Sequence, residues 1–315
     1  MKVMVTGATG FIGQQLCSTL VARGYEVIPI LRSGAAEDGV SVGDIGPETD
    51  WREALATEPD VIVHLAARVH VMKETLADAL ETFRRVNVAG SLNLARQALA
   101  AGVKRLVFLS SIKVNGDINL PDRPFRADDT PAPEDAYAIS KTEAEKSLQE
   151  FAQVTGLELV VIRPPLVYGP GVKGNFASMR QWLIRGVPLP LGAIHNSRSL
   201  IALENLVDFV VLCADRERSP HANNEVFLIS DGENISTTEL LRRVARVYGV
   251  RAYLVPVPVG WLRICARICG KTALADRLLG SLVVDSSKAQ KLLGWQPVVT
   301  MDNQLLSMTK HDART

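Results

Sequence analysis

The chain of 315 residues is poor in cysteine: Cys17, Cys213, Cys265 and Cys269 are its only four, and no two form a CxxC pair. That argues against a disulfide scaffold and against a thiolate zinc site. Cys265 and Cys269 stand one helical turn apart and read as small residues packed in a helix. An excess of charge of either sign is absent too, with 35 basic against 34 acidic residues. Without a basic run or an aromatic–basic stripe, nothing in the chain suits nucleic acid. No uninterrupted apolar stretch reaches the length of a membrane span. The nearest one, residues 255–270, contains Arg263 and Arg267. It reads as an amphipathic helix packed on protein, with a place at a membrane surface as the lesser reading. Met1 runs straight into an apolar strand pattern, which leaves no room for a signal peptide. A reduced, cytoplasmic protein is expected. Internal repeats, low-complexity segments, metal-ligand clusters and a nucleophile elbow are also missing.

The strongest pattern lies at the N-terminus. Lys2–Thr6 is a short apolar run that reads as a buried strand. Gly7, Gly10 and Gly13 follow in GxxGxxG spacing and lead into the helical pattern of Leu16, Leu20 and Val21. A strand, a glycine turn and a helix N-terminus together make an anion site suited to a dinucleotide pyrophosphate. Gly7 permits the tight turn, Gly10 lets phosphates approach, and Gly13 allows close helix–strand packing. The second strand, Glu26–Leu31, ends in Arg32 and Ser33, with no carboxylate until Glu37. An acid there would take the ribose 2′-hydroxyl of NAD, whereas a guanidinium and a hydroxyl suit the 2′-phosphate of NADP. NADP(H) is therefore expected, with NAD(H) as the lesser alternative.

The first half alternates strand and helix patterns, the mark of a doubly wound parallel α/β sheet. Strands are expected at 61–66, 105–110 and 158–163, a long helix at 76–101, and another from 133 or 134 to 155. Residues 1–165 would form a Rossmann-type nucleotide-binding domain, to which a helix at 204–215 and a strand at 226–230 return. Residues 166–315 would otherwise form a smaller lobe that binds substrate. Its early part reads as irregular, rich in Pro and Gly. Capping patterns open helices at 236–248 and after Asp285.

Tyr137 and Lys141 lie four apart on the expected 133–155 helix and so share a face. A lysine cation beside a phenol lowers the tyrosine pKa, and such a tyrosine exchanges a proton with an alcohol or ketone. Ser110 and Ser111 end a strand, where ligands of open α/β sheets bind, and either could hold a reacting oxygen. His64 and Asn87 have ordinary structural readings.

Taken together, these residues resemble a family. Thr6-Gly-Ala-Thr-Gly-Phe-Ile-Gly13, His64-Leu-Ala-Ala67, Ser110-Ser111, Tyr137-x-x-x-Lys141 and Arg163-Pro-Pro-x-Val-Tyr168-Gly-Pro-Gly171 look like the extended short-chain dehydrogenase/reductases, closest to their sugar-nucleotide epimerase, dehydratase and reductase group. The resemblance implies a catalytic trio of Ser111, Tyr137 and Lys141. Ser111 is chosen over Ser110 because Val114 and Gly116 match the family text. The cofactor would be met by Gly7, Thr9, Gly10, Phe11, Ile12 and Gly13, by Arg32 and Ser33, and by the pair Asp44-Ile45 at the adenine. Leu65, Ala66, Ala67, Pro164 and Val167 would line it, and Asn87 would support Lys141 through water. A UDP-sugar substrate would be met by Ser111, Lys113 and Asn175, by Leu189, Pro190 and Leu191 over the uracil, and by Arg198 and Arg277 at the pyrophosphate. A homodimer through a four-helix bundle is implied as well. The stripes Leu92, Ala95, Leu99 and Ala144, Leu148, Phe151 would supply its seam.

Three departures narrow the reading. Asn115 stands where the family usually has tyrosine, and Lys113 sits near the expected sugar. Ile112 and Lys113 follow Ser111 where the dehydratases carry an acid–base pair. The acid after the second strand is absent. The combination looks like the NADPH-dependent 4-ketoreductases of UDP-2-acetamido-2,6-dideoxy sugars, of the N-acetylquinovosamine and fucosamine type, which serve O-antigen and surface polysaccharide. A UDP-sugar 4-epimerase with retained NAD is the alternative. A non-catalytic NADP-binding regulator is the rival from another class.

Overall fold

Runs of β-branched and aliphatic residues, buried on both faces, form the centre of the molecule, as a parallel sheet requires. The computed structural model describes residues 1–34, 39–69 and 76–313. Its strands are β1 (Lys2–Thr6), β2 (Glu26–Leu31), β3 (Val40–Ser41), β4 (Val61–His64), β5 (Arg105–Leu109), β6 (Glu158–Arg163), β7 (Leu166–Tyr168), β8 (Arg198–Ala202), β9 (Glu225–Leu228) and β10 (Asn234–Ile235). Its helices are α1 (Phe11–Ala22), α2 (Arg52–Leu55), α3 (Leu76–Phe83), α4 (Ser91–Ala100), α5 (Ala136–Thr155), α6 (Asn175–Ile184), α7 (Leu203–Ala214), α8 (Thr237–Val247), α9 (Val259–Ile268), α10 (Thr272–Leu279), α11 (Ser287–Leu293) and α12 (Met301–Asp312).

Seven parallel strands in the order β3-β2-β1-β4-β5-β6-β9 make the main sheet of a Rossmann-type α/β fold. Strand side chains alternate between its faces. Val3, Val5, Val61, Val63 and Val107 pack under α1, α7 and α11 with Leu16, Phe209 and Trp295. Met4, Ile62, Leu106 and Phe108 pack on the other side against Trp51, Leu94, Ala98, Ala144 and Leu148. The chain winds outward in opposite directions from β1 and β4, so a crevice opens at their carboxyl ends. A small sheet, β10-β8-β7, and a separate core around Phe176, Leu183, Leu241 and Leu305 form the lobe beside it.

The structure adjusts several sequence expectations. The strands end at His64 and Leu109, short of residues 66 and 110, and the return strand is Glu225–Leu228. The long helix is not uniform: Arg84–Gly90 is π-helical between α3 and α4. The stretch from 166 onward is ordered into β7, α6 and β8. Helix α11 and Trp295 also return to the main sheet. Of the apolar stripes expected at a dimer seam, Ala95, Ala144 and Leu148 are buried in the core on this side of the sheet, with Leu99 and Phe151 packed against it, while Leu92 is half-buried outside that core. Finally, α9 packs on the lobe by one face, as an amphipathic helix does, but Cys265 and Cys269 are exposed rather than packed. None of its residues is fully covered, and only Val259, Leu262 and Ala266 touch the lobe core. Among the described residues no helix is long and apolar enough to cross a membrane.

Candidate active site

The glycine turn joins β1 to α1. Gly7 has φ +70°, and a Cβ there would lie 2.9 Å from the Ala66 nitrogen, so the turn backs directly onto the chain leaving β4. At Gly13 a Cβ would come within 2.1 Å of the Gly7 carbonyl oxygen, which forces glycine where the helix meets the turn. Gly10 is different. It is exposed, and its Cβ would meet only that same carbonyl, at 3.2 Å. As N-cap of α1, Gly10 offers no side chain to the first-turn amides. Such an N-terminus is an open anion site. Thr9 is exposed, Phe11 and Ile12 are half-buried, and Phe11 packs on both the sheet core and the lobe core.

At the end of β2, Arg32 and Ser33 are exposed. Arg32 Nε lies 2.9 Å from Asp44 Oδ1, with both side chains over 80% exposed (81% and 82%). The two residues assigned to opposite ends of an adenosine are thus paired with each other, through a surface contact worth little energy. Ile45 packs inward against Gly90. Glu37 lies outside the described residues.

The chemical centre is at the carboxyl end of β5. Asp135 caps α5 by accepting the Ala138 N–H (2.8 Å), which sets Tyr137 in the first turn and Lys141 one turn later. Lys141 Nζ donates to the Leu109 carbonyl (2.7 Å) and sits 4.2 Å from the centre of the Phe108 ring. Burial lowers the Lys141 pKa to about 7, against an opposing pull from Glu145. Ser110, next to that carbonyl, has its hydroxyl buried without a hydrogen-bond partner among the described residues. Ser111 is half-buried and accepts the Lys113 N–H at 3.3 Å, capping the 3-10 turn Ile112–Val114 on which α5 packs. Tyr137 has its ring edge-on to Phe83 at 6.0 Å. Its phenol is pushed up to about 12 by burial and by the Asp135 carboxylate. This reverses the expectation of a lowered tyrosine pKa: Lys141 is spent on Leu109, and desolvation wins.

A buried polar network holds this end of the sheet. Asn87, in the π-helical stretch, takes the Arg68 N–H on its oxygen (2.9 Å) and donates to the Arg68 carbonyl (3.1 Å) and to Ser140 Oγ (3.0 Å). Ser140 in turn donates to the Tyr137 carbonyl (2.7 Å). Asn87 therefore reaches the neighbour of Lys141 directly. The half-buried Leu65, Ala66 and Ala67 run along the same loop, with the Ala66 N–H on Thr6 Oγ1 (3.2 Å). His64 bridges Thr6 Oγ1 (2.7 Å) and Ser91 Oγ (2.9 Å). Ser91 gives its own proton to the Asn87 carbonyl (2.7 Å), so His64 donates from Nε2 and accepts from Thr6 at Nδ1. Burial, helped by the Lys141 charge, drops the His64 pKa to about 3. His64 is a neutral clasp between β1, β4 and the π-helical stretch.

A charged cluster lies beyond Ser111. Lys113 pairs with Asp135 and, at 3.3 Å, with Asp117. Burial favours a raised Asp135 pKa, but Lys113, the Ala138 amide and Arg277 outweigh it and hold the carboxyl low. Arg198 is half-buried, donates to the Gly280 carbonyl (3.1 Å) and feels the Asp117 charge. The structure so gathers Lys113, Arg198 and Arg277 around two carboxylates. Asn175 is exposed at the start of α6. Leu189 and Leu191 are buried in the lobe core, the Leu189 backbone is paired both ways with Tyr253 and Val255, and Pro190 between them is exposed. Pro164 accepts the Ile112 N–H (3.0 Å), and Val167 packs on the sheet core.

Sequence reasoning missed the groups that position these side chains. Arg163 is buried against Glu145 with three hydrogen bonds of 2.5–3.1 Å and donates to Asn115 Oδ1 (3.0 Å). Asn115 donates onward to the Arg126 carbonyl (2.8 Å). The departure at Asn115 is thus a structural tie. Asp135 alone left a signal, a carboxylate at a helix N-cap position.

A family model described as the NAD dependent epimerase/dehydratase family matches residues 3–230. A UDP-glucose 4-epimerase of Vibrio cholerae is 44% identical over 305 residues, covering 95% of this chain and 92% of that protein. The solved UDP-glucose 4-epimerase of Thermotoga maritima with UDP-glucose superposes with a TM-score of 0.74 at 24% identity, covering 100% and 99% of the two chains. RMD from Pseudomonas aeruginosa, complexed with NADPH, gives 0.74 at 21% identity and covers 99% of each.

Proposed function

The chain belongs to the NAD dependent epimerase/dehydratase family, and from that premise we propose that it is an NADPH-dependent reductase of a 4-keto sugar nucleotide. The observation that carries this reading is the placement of Tyr137, a phenol held protonated at neutral pH by burial, one helical turn before Lys141 at the carboxyl end of β5. A phenol that holds its proton is the form that donates one.

The residues fit a nicotinamide dinucleotide, as members of the family bind. Gly7 and Gly13 let the turn close tightly against the β4 loop and α1, where a Cβ would meet backbone, and Gly10 leaves the α1 N-terminus accessible. Arg32 and Ser33 would hold a 2′-phosphate, since the exposed Arg32–Asp44 pair costs little to break. Asn87 and His64 keep the β4 loop in place for the rest of the molecule. When bound, the nicotinamide supplies hydride to a carbonyl carbon. Tyr137 gives its proton to the carbonyl oxygen, O4 of the sugar, and regains one from solvent. Ser111 holds O4, and Lys141 anchors the ribose side of the cofactor and feels the β5 carbonyl.

For the substrate we read a UDP-linked 2-acetamido-2,6-dideoxy-hexos-4-ulose, reduced to a UDP-N-acetyl-6-deoxyhexosamine for surface polysaccharide in the cytoplasm. Arg198 and Arg277 would meet the pyrophosphate. Lys113 is balanced by two carboxylates, so it suits a sugar oxygen better than a phosphate. A two-fold homodimer rests on the family resemblance, since most of the apolar stripe residues on α4 and α5 pack in the sheet core.

One observation favours a second reading, UDP-sugar 4-epimerisation with retained NAD: the Vibrio cholerae relative carries that name. The two differ in redox balance. A reductase consumes one NADPH per keto sugar converted, whereas an epimerase interconverts UDP-hexoses with no net NADPH use. Following NADPH absorbance together with the sugar product decides between them. Epimerisation of UDP-glucose without NADPH consumption would overturn the reductase.

A further inference from the structure

Helix α9 divides into three faces. Val259, Leu262 and Ala266 lean on the lobe core. Trp261, Ile264, Cys265 and Ile268, spaced i, i+3, i+4 and i+7, share the face turned to solvent. Trp261 is 64% exposed, Ile264 54% and Ile268 80%, values that leave more than half of each of these large apolar residues in solvent. Arg263 and Arg267, one turn apart, occupy the flank between the two apolar faces.

The surrounding chain has the same character. From Gly249 to Ala275 there is no Asp or Glu, while Arg251, Arg263, Arg267 and Lys271 are all exposed. None of these four is in an ion pair among the described residues. The segment leading into the helix exposes Tyr253 and Val255, each 47%, and the Arg251 guanidinium lies 5.4 Å from the Tyr253 ring. In a molecule with a net charge of only +1, this is a concentrated cationic rim around an exposed apolar ridge.

We propose that α9 docks in the plane of an anionic lipid bilayer surface, with Trp261, Ile264 and Ile268 at the acyl boundary and Arg263, Arg267 and Lys271 on the headgroup phosphates. Charge complementarity selects this occupant. A second copy of the chain, placed by two-fold symmetry on the same face, would bring arginines against arginines with no carboxylate between them. An apolar face carrying tryptophan and flanked by cations is the composition that binds a bilayer interface without crossing it. Each cation near such a surface adds attraction that salt screens.

Flotation of the full chain with vesicles tests this. Vesicles of phosphatidylcholine and phosphatidylglycerol in equal parts are compared with vesicles of phosphatidylcholine alone. The wild-type chain is expected to float with the mixed vesicles at about 0.05 M salt, to leave them at about 0.5 M, and to ignore the neutral ones. Trp261→Ser with Ile268→Ser should weaken binding on the order of tenfold or more. Arg263→Gln with Arg267→Gln should do the same. The second pair removes only exposed charge, so it keeps the test sound if the first variant is poorly folded. Both pairs should keep wild-type NADPH affinity. A wild-type chain that stays off mixed vesicles at low salt overturns the proposal, as does an arginine variant that binds like wild type. A lipid-independent oligomer that Trp261→Ser disperses would give the face to a second copy instead.

Discussion

Burial sets the proton on three side chains around the end of β5. Tyr137 keeps its proton to about pH 12, Lys141 to about 7, and His64 takes one only near 3. Tyr137→Phe preserves the ring and its contact with Phe83 but removes the proton. Turnover on a keto sugar nucleotide should fall by about 10²–10⁴, with NADPH affinity nearly unchanged in a fluorescence titration. Near-normal turnover would remove Tyr137 from the mechanism. His64 leaves a mark on stability. Its pKa is depressed from 6.5 to about 3, so between those values the unfolded chain binds a proton that the folded chain refuses. Stability should therefore fall as pH drops from 6.5 toward 3, with a slope of up to about 1.4 kcal/mol per pH unit from this one group. Urea midpoints across that range should show the slope in wild type and its loss in His64→Gln; equal slopes would assign the acid sensitivity elsewhere. That Tyr137 and Lys141 stand one turn apart on a single helix was legible from spacing alone. The direction of the tyrosine shift was not, because it depends on how deeply α5 is buried and on where the Lys141 head is anchored.

The glycine turn and α5 make separate claims as elements. Gly10→Ala adds a Cβ that meets only the Gly7 carbonyl, at 3.2 Å, so the chain should fold with little change in melting temperature and lose dinucleotide affinity. Gly13→Ala puts a Cβ 2.1 Å from that carbonyl, and there the fold itself should suffer first. Equal stabilities for the two variants would contradict the roles given to them. On α5, Glu145 and Arg163 are 3% and 5% exposed in their side chains. Glu145→Gln leaves the guanidinium short of its counter-charge in the interior and should cost about 3–5 kcal/mol in denaturant unfolding. Six of the seven strands of the main sheet were readable because fully buried parallel strands are continuous apolar runs. The short β3, β7 and β10 were not, since two or three residues carry no period and are strands only through distant partners. The π-helical stretch was hidden for a related reason: its residues keep a helical pattern while the hydrogen bonding changes. Glu145 escaped notice, and the ties of Arg163 and Asn115 could not be read from their places in the pattern, because the partners lie 18 and 48 residues apart in the chain.

Across the whole molecule, sheet and lobe share one interleaved chain. After β7, α6 and β8 build the lobe, α7 and β9 return to the sheet; after α8, α9 and α10, the chain returns again with α11. Trp295 then packs edge-on to Phe209 at 5.0 Å and donates to Asp208 (2.9 Å). A chain truncated after Asp285 keeps all seven strands of the main sheet but lacks Ala289 and Trp295 in its core and Leu305 in that of the lobe. It should lose cooperative thermal unfolding by circular dichroism; a sharp wild-type transition would show that the return of α11 is dispensable. This second return could not be read from the sequence, because a short helix pattern does not say which core it covers. The placement of β9 has a further consequence for biosynthesis. β6 pairs with β5 on one side and with β9 on the other, yet Glu225 is synthesised roughly 60 residues after Arg163. At about 5–20 residues per second, the outer edge of β6 waits on the order of 3–12 s on the ribosome with its backbone donors and acceptors unpaired. During that interval the nascent chain presents a sticky apolar strand, and a chaperone that shields extended segments would find its target there.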